Sequence, residues 1–154
     1  MWRVEEARKE DAIGLADLYR RVWGAYRGVL PDPLLENRCA CAEDIDSLMD
    51  RMTYIVVRDG GRIVGVARCH IEHEACYLER MVVDSDFRRR GVGAAIVDRA
   101  VGLARERGCR KVFLNTSPKL ADSMAFYERM GFVRCGLFRR HFWGEDAVFY
   151  EMLL

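Results

Sequence analysis

The first third of the chain has apolar residues at helical spacing on both sides of an irregular stretch. One apolar stripe runs from Ala12 to Trp23 and another from Ala42 to Met52, and each predicts an amphipathic helix. Residues 24–41 between them contain glycine and two prolines and are predicted to be irregular. Residues 2–7 precede the first stripe and are predicted to form a short strand.

Strand-like segments dominate the middle of the chain. Thr53–Arg58 and Arg62–Glu72 are rich in β-branched and apolar residues. The Asp59-Gly60-Gly61 sequence between them favours a tight hairpin turn. Tyr77–Val83 is predicted to be the next strand, with one acid and one base inside an otherwise apolar run.

The second half of the chain alternates between the two periodicities. The apolar row from Val92 to Leu103 predicts a helix, and Lys111–Thr116 predicts a buried strand. A helix is predicted from Pro118, after a serine cap, to Met130. Phe132–Phe138 and Ala147–Leu153 are predicted to be two closing strands.

The complete order of predicted elements is βααβββαβαββ. A strand followed by a helix and another strand favours a local parallel pairing, whereas the hairpins favour antiparallel pairing. The predicted fold class is therefore α/β, in the sense of an α+β fold with a mixed sheet. No repeat, low-complexity tract or linker interrupts the order, so residues 1–154 are predicted to form one domain.

The loop before the third predicted helix concentrates positive charge where a helix disfavours it. Arg88, Arg89 and Arg90 come immediately before the helix, although the amino end of a helix carries partial positive charge. A bound anion explains the arrangement, because free N–H groups would bind it and the arginines would neutralise it. Gly91 and Gly93 allow the backbone to turn tightly and to contact a phosphate.

Two segments resemble the GNAT N-acetyltransferase superfamily. Arg88-x-x-Gly91-x-Gly93 resembles its acyl-coenzyme A signature, and FYERMGF over residues 126–132 resembles its F-Y-x-x-x-G-F segment. The predicted order of elements matches the GNAT fold over residues 1–154. The resemblance implies an acyltransferase that uses acetyl-coenzyme A as co-substrate and needs no metal. The implied reaction is direct attack on the thioester, in a ternary complex, by a primary amine of a small molecule or peptide.

The resemblance also implies which residues contact the cofactor. The arginine–glycine loop would bind the pyrophosphate, and the backbone of the preceding strand would pair with the pantetheine arm at a bulge. Leu120 stands where the family commonly has an asparagine that contacts coenzyme A. The implied cofactor-binding residues are Met81, Val82, Val83, Arg88, Arg89, Arg90, Gly91, Val92, Gly93, Ala94, Asn115, Ser117, Ser123 and Tyr127.

Two side chains are candidates for proton transfer, and each has a structural alternative. Tyr127 matches the family tyrosine that often donates a proton to the departing thiolate, and it also fits the inner face of an amphipathic helix. Glu79 matches an acid that GNAT proteins often have in this strand, and its functional role would be that of a general base acting on the substrate amine through water. Its structural alternative is an ion pair, for example with Arg68 on the neighbouring strand.

The acceptor site is expected in the irregular segment near the first helix. Trp23, Tyr26 and Leu30 belong to a stretch that resembles W-x-x-x-Y-R-G-x-x-P in many small GNAT proteins. The resemblance implies substrate contacts for these three residues, and packing is the alternative for the two aromatic ones. The sequence contains no carboxylate cluster typical of a polyamine or aminoglycoside site.

Composition narrows the remaining classes of function. The chain has 25 basic and 24 acidic side chains, and the net charge of +1 argues against nucleic-acid binding. No run of about 18 apolar residues predicts a membrane span. The first residues lack the apolar region of a signal peptide, so a cytoplasmic location is expected. The six scattered cysteines are predicted to be reduced thiols rather than disulfides or metal ligands.

Two alternatives to an acetyltransferase follow from the same residues. A regulatory or interaction module could bind coenzyme A through the arginine–glycine loop without catalysing transfer. A nucleotide- or RNA-binding domain could use the arginines, but the near-zero net charge and the lack of an aromatic platform argue against it. A monomer and a homodimer both stay open.

Overall fold

The computed structural model describes residues 1–154, which form one seven-stranded mixed sheet around which all helices pack. The strand order is β1-β2-β3-β4-β5-β7-β6, and only the β4–β5 pair is parallel. The strands are β1 (Trp2–Glu6), β2 (Thr53–Asp59), β3 (Arg62–Glu72), β4 (Ala75–Val83), β5 (Lys111–Thr116), β6 (Val133–Phe142) and β7 (Glu145–Leu153). The predicted mixed sheet with one local parallel pair is confirmed.

Five α-helices cover the two faces of the sheet. They are α1 (Ala12–Gly24), α2 (Asp32–Arg38), α3 (Ala42–Leu48), α4 (Val92–Glu106) and α5 (Ala121–Arg129). None of them combines the length and the apolar character that a membrane crossing requires. Alternate side chains of β2 divide between two cores, so Ile55 packs beneath α4 and Val56 packs beneath α1 and α3. Both faces of the central strands are therefore buried.

The helix bounds correct the sequence prediction in three places. Residues 24–41 are not irregular throughout, because α2 forms within them with Pro33 in its first turn and buries Leu34 and Leu35. The predicted helix 42–52 ends at Leu48 as α3. The predicted helix from Pro118 begins only at Ala121, since residues 117–120 form a turn that the Leu120 N–H closes on the Ser117 carbonyl at 3.0 Å.

A bulge in β4 lies just beyond the residues that pair with β5. Val82 pairs with Val66 and Glu79 pairs with Arg68, so β4 has one more residue than β3 between these two pairs. Arg80 lies in the bulge with a left-handed backbone (φ 56°). The buried Tyr19 hydroxyl of α1 donates a hydrogen bond to the Arg80 carbonyl at 3.0 Å. Parallel pairing with β5 stops at Tyr77, and the two strands diverge beyond it.

Candidate active site

A cleft opens where β4 and β5 diverge. Its walls come from these two strands, from α1, α2 and α5, and from the turn between β6 and β7. The structure brings together eight of the residues predicted as site residues, namely Trp23, Leu30, Glu79, Met81, Asn115, Ser117, Ser123 and Tyr127. These positions are far apart in sequence. They line the same cleft because β4 and β5 diverge.

The other ten predicted site residues lie outside the cleft lining, namely residues 88–94 of the loop and the start of α4, and Tyr26, Val82 and Val83. Tyr26 packs against Trp23, with ring centroids 5.5 Å apart. It therefore contacts a residue of the cleft wall but does not line the cleft itself. Val82 is buried in the core beneath α1, and Val83 packs against the core beneath α4. The side chains of Val82 and Val83 are therefore core residues, and only their backbone groups are available for the predicted pairing.

Tyr127 presents a protonated phenol to the cleft. Its side chain is 8% exposed, and its ring packs edge-on against Phe126 and Phe132. Burial alone raises the pKa of the Tyr127 phenol well above its ordinary value. The hydroxyl hydrogen is therefore retained through neutral and moderately alkaline pH, and no protein group accepts it.

Glu79 forms the ion pair that was its structural alternative. Its Oε1 accepts a hydrogen bond from Arg68 Nε at 2.8 Å, and both side chains are largely buried, at 14% and 11% exposure. Arg68 also donates to the Tyr54 hydroxyl at 3.4 Å. The second carboxylate oxygen, Oε2, makes no hydrogen bond within the protein and remains free to accept one from water or an amine.

Tyr77 is a cleft residue that sequence reasoning missed. Its ring stacks on Phe113 with centroids 4.7 Å apart, and its hydroxyl accepts a hydrogen bond from the Asn115 side-chain amide. Burial, and then the nearby Glu79 carboxylate, raise the pKa of the Tyr77 phenol. Asn115 therefore already has a partner inside the protein. The alternation of Tyr77 with Glu79 along one strand was the signal that could have placed it in the cleft.

The arginine–glycine loop begins at a buried carboxylate. Asp84 accepts hydrogen bonds from Arg21 at 2.9 Å, from Arg62 at 2.6 Å and from the Asp86 N–H at 3.0 Å. These contacts join the end of β4 to α1 and β3. The start of the loop is therefore held in place by two other elements of the fold.

The rest of the loop leaves the amino end of α4 uncapped. Gly91 has φ 84° and Arg89 has φ 59°, so the chain turns sharply before the helix. No side chain caps α4, and its first internal hydrogen bond is from Ala95 N–H to the Gly91 carbonyl at 3.0 Å. Arg88 and Arg89 are exposed and make no ion pair, whereas Arg90 packs over the Phe87 ring at 4.9 Å. The start of α4 therefore has uncapped N–H groups near two exposed arginines that make no ion pair.

Gly93 also has a packing role. A Cβ atom at this position would lie 3.2 Å from Phe126 of α5, closer than an ordinary van der Waals contact. Phe126 lies next to Tyr127, so the start of α4 and the phenol of α5 are packed through one aromatic side chain. Glycine at this position therefore allows both a close backbone approach and the contact between the two helices.

The end of the cleft away from α4 contains charged residues that sequence reasoning missed. Arg38 of α2 lies over the Phe142 ring, with the guanidinium carbon 5.1 Å from its centroid. Lys119 forms an ion pair with the buried Glu145 at 2.5 Å, which joins the 117–120 turn to the β6–β7 turn. The Arg38–Phe142 contact and the Lys119–Glu145 ion pair each join segments that are distant in sequence. In addition, the sequence pattern did not predict α2, the helix that contains Arg38. No group of three or more histidine, cysteine or acidic side chains has a metal-binding arrangement.

Comparison with known protein sequences finds acetyltransferases. A sequence model described as "Acetyltransferase (GNAT) family" matches residues 15–132. Glucosamine 6-phosphate N-acetyltransferase 1 of Oryza sativa subsp. japonica is 32% identical over 139 residues, which cover 83% of this chain and 82% of that protein. N-alpha-acetyltransferase 30 of Homo sapiens is 33% identical over 101 residues, which cover 62% of this chain and 28% of that protein.

Solved structures share the fold at low sequence identity. PaiA N-acetyltransferase from Thermoplasma acidophilum, solved in complex with coenzyme A, superposes with a TM-score of 0.84 at 14% identity, covering 100% of this chain and 99% of that chain. The ribosomal-protein-S18-alanine N-acetyltransferase from Escherichia coli gives a TM-score of 0.80 at 19% identity, covering 99% and 94%.

Proposed function

This chain belongs to the GNAT acetyltransferase family and is an acyltransferase, and we propose that it transfers the acetyl group of acetyl-coenzyme A to a primary amine by direct attack in a ternary complex. The observation that carries the proposal is the cleft between β4 and β5. One of its walls presents a free phenol, and β4 continues directly into an uncapped helix start with unpaired arginines.

The loop residues suit the pyrophosphate of coenzyme A. Arg88 and Arg89 supply positive charge that no protein carboxylate neutralises, and the backbone N–H groups of Val92, Gly93 and Ala94 lie in the uncapped first turn of α4. Gly91 takes the left-handed conformation that the turn requires. We assign the pyrophosphate to this loop and assign Arg90, which contacts Phe87, to shaping it.

The diverging strands suit the pantetheine arm and the thioester. The bulge at Arg80 interrupts regular pairing, so backbone groups of Met81, Val82 and Val83 are offered to a ligand as an adjacent strand would be. A backbone N–H there would polarise the thioester carbonyl. Asn115, Ser117 and Ser123 are the proposed contacts on the opposite wall.

Two proton transfers accompany the reaction. An alkyl ammonium with a pKa of about 10.4 is only ~0.04% neutral at pH 7, so the amine must lose a proton before it attacks. Oε2 of Glu79 is the proposed acceptor, through water, while Oε1 stays paired with Arg68. When the carbon–sulfur bond breaks, the electron pair stays on sulfur, and the Tyr127 hydroxyl is the proposed donor of its proton.

A coenzyme A-binding module without turnover would share the loop but not the chemistry. The Glu79–Arg68 ion pair is the observation that favours this alternative, because it gives Glu79 a structural role. The free phenol of Tyr127 and the free Oε2 of Glu79 favour the enzyme.

The direct test is thiol release from acetyl-coenzyme A with a panel of amines, amino acids and peptides, with acetylated product confirmed by mass spectrometry. We expect amine-dependent thiol release that Tyr127→Phe strongly reduces. In parallel, calorimetric titration measures the affinity of the protein for acetyl-coenzyme A. Arg105→Ala is the control variant, because Arg105 is exposed at the far end of α4. Binding without acetylation of any amine would support the non-catalytic module, and absence of binding would reject both functions.

A further inference from the structure

We propose that the amine acceptor carries an oxyanion, a carboxylate or a phosphate, and that Arg38 and Arg80 bind this group at the end of the cleft opposite the cofactor loop. This inference rests on the proposed acetyltransferase function and adds the chemical class of its acceptor. The arrangement of these two side chains supports it.

The two guanidinium groups converge on one neutral oxygen. Arg38 of α2 donates to the Asn37 side-chain carbonyl at 3.1 Å, and Arg80 of the β4 bulge donates to the same oxygen at 2.9 Å. Both arginines line the cleft. Neither makes an ion pair with a carboxylate, so the two cations are held close together without a counter-ion.

The other charged groups of the lining, with one exception, are neutralised within the protein. Glu79 pairs with Arg68, and Glu145 pairs with Lys119. The exception is Asp146, whose Oδ1 accepts a hydrogen bond from the Arg140 backbone N–H at 2.8 Å. The lining therefore has two unpaired cations and one unpaired anion. This balance matches an acceptor that has both an ammonium group and an anionic group.

Both arginines are preorganised, although two like charges in proximity repel each other. The backbone of Arg80 is fixed by the hydrogen bond from Tyr19 to its carbonyl. Arg38 is held against the Phe142 ring, and its burial lowers the pKa of the guanidinium, which Tyr77 and Glu79 partly offset. An oxyanion would relieve the repulsion and could accept charge-assisted hydrogen bonds from both groups.

The same end of the cleft contains an unsatisfied donor. The indole Nε1–H of Trp23 is buried and has no hydrogen-bond partner, and it is the one buried side-chain nitrogen or oxygen in that condition. Trp23 lines the cleft together with Arg38. A buried donor without an acceptor is costly, and a small adjustment of this wall around an anionic acceptor would remove that cost.

Paired ligands that differ only in the anionic group test the proposal. Glucosamine 6-phosphate against glucosamine tests phosphate, and ε-aminocaproate against its amide tests carboxylate. Binding of each is measured calorimetrically to the protein saturated with coenzyme A, so that the cofactor loop is already filled. We expect at least one anionic ligand to bind at least tenfold more tightly than its neutral partner. In acetylation assays the preference should appear mainly in KM.

Variants then locate the effect. Arg38→Gln and Arg80→Gln should each remove most of the preference while leaving coenzyme A affinity unchanged, and Arg38→Lys should retain part of it. Arg105→Gln, which removes an exposed arginine far from the cleft, should retain all of it. Which pair shows the preference distinguishes a phosphate from a carboxylate acceptor.

The outcomes separate this inference from the proposed function. Equal binding within both pairs, including undetectable binding of all four ligands, overturns the anionic acceptor. Acetylation of neutral amines would then leave the acetyltransferase proposal standing. A preference that survives both glutamine variants also overturns the assignment to Arg38 and Arg80.

Discussion

The two ends of the proposed active site are built in different ways. The cofactor end consists of residues 81–83 of β4, the loop 84–91 and the start of α4, which are nearly continuous in sequence. The acceptor end combines α2, Arg80 of the β4 bulge, the 117–120 turn and the β6–β7 turn, which are distant in sequence. The cofactor end exposes backbone N–H groups and free cations, whereas the acceptor end consists mainly of side chains. The first arrangement suits a constant ligand, and the second can change with single substitutions.

The largest expected effect is at Tyr127, which lines the cleft. Tyr127→Phe should lower kcat on a good amine by about 100-fold if the phenol protonates the leaving thiolate. Burial raises the pKa of this phenol, so wild type should keep its donor, and show no tyrosine-dependent loss of rate, up to at least pH 9. The measurement is a pH–rate profile of kcat and kcat/KM for both proteins. Equal profiles would remove Tyr127 from the mechanism.

Glu79 should show a different pH dependence from Tyr127. Glu79→Gln should lower kcat/KM by about 100-fold near pH 7 and recover as pH rises, because a larger fraction of the amine is then neutral. Arg68→Gln is the matched control, since it breaks the same ion pair but keeps the carboxylate. Both variants should lower the melting temperature, because each leaves a largely buried charge or donor without its partner. A loss of activity that is the same in both variants at every pH would indicate that the ion pair, rather than proton transfer, is what matters.

Substitutions in the cofactor loop should change the affinity for acetyl-coenzyme A rather than the rate of acetyl transfer. Arg88→Ala should weaken acetyl-coenzyme A binding at least tenfold, because a charge-assisted contact contributes on the order of 1.5–3 kcal/mol. Its melting temperature should not change, since Arg88 is exposed and unpaired. Substituting Gly93 is a poorer test, because a side chain there would also displace Phe126. Unchanged affinity in calorimetric titration of Arg88→Ala would contradict the assignment of the pyrophosphate to this loop.

The same difference in construction explains what the sequence could predict. The arginines, glycines and helix start of the loop 88–93 are local, so their arrangement follows from chain order, helix electrostatics and glycine geometry. The mixed sheet and its local parallel pair follow from the order of the predicted elements along the chain and from the family resemblance. Sequence reasoning also named Arg68 as a structural partner of Glu79, and the two side chains are paired.

The acceptor end could not be predicted in the same way. The helix α2 is only seven residues long and lies in a segment that contains glycine and proline. The sequence pattern therefore did not predict the helix or the burial of Leu34 and Leu35. Arg38 reaches the cleft only because this helix packs near the β6–β7 hairpin. The shared contact of Arg38 and Arg80 with Asn37 joins residues 43 positions apart. Contacts of this kind depend on tertiary packing, which short sequence patterns do not encode.

The smallest expected effect concerns the six thiols. All six cysteines are free, and Cys69, Cys76 and Cys109 are buried in the core beneath α4. Cys41, just before α3, and Cys135 of β6 are exposed. Labelling of the native protein should therefore modify Cys41 and Cys135 first and leave the three core thiols unmodified until unfolding. A reductant should change the melting temperature by no more than about 2 °C, because no disulfide constrains the unfolded chain. Mass spectrometry tests the labelling order and the absence of disulfides in freshly purified protein, and melting curves with and without reductant test the change in melting temperature. Two or more intact disulfides would contradict the free thiols, and early labelling of the core thiols would contradict their burial beneath α4.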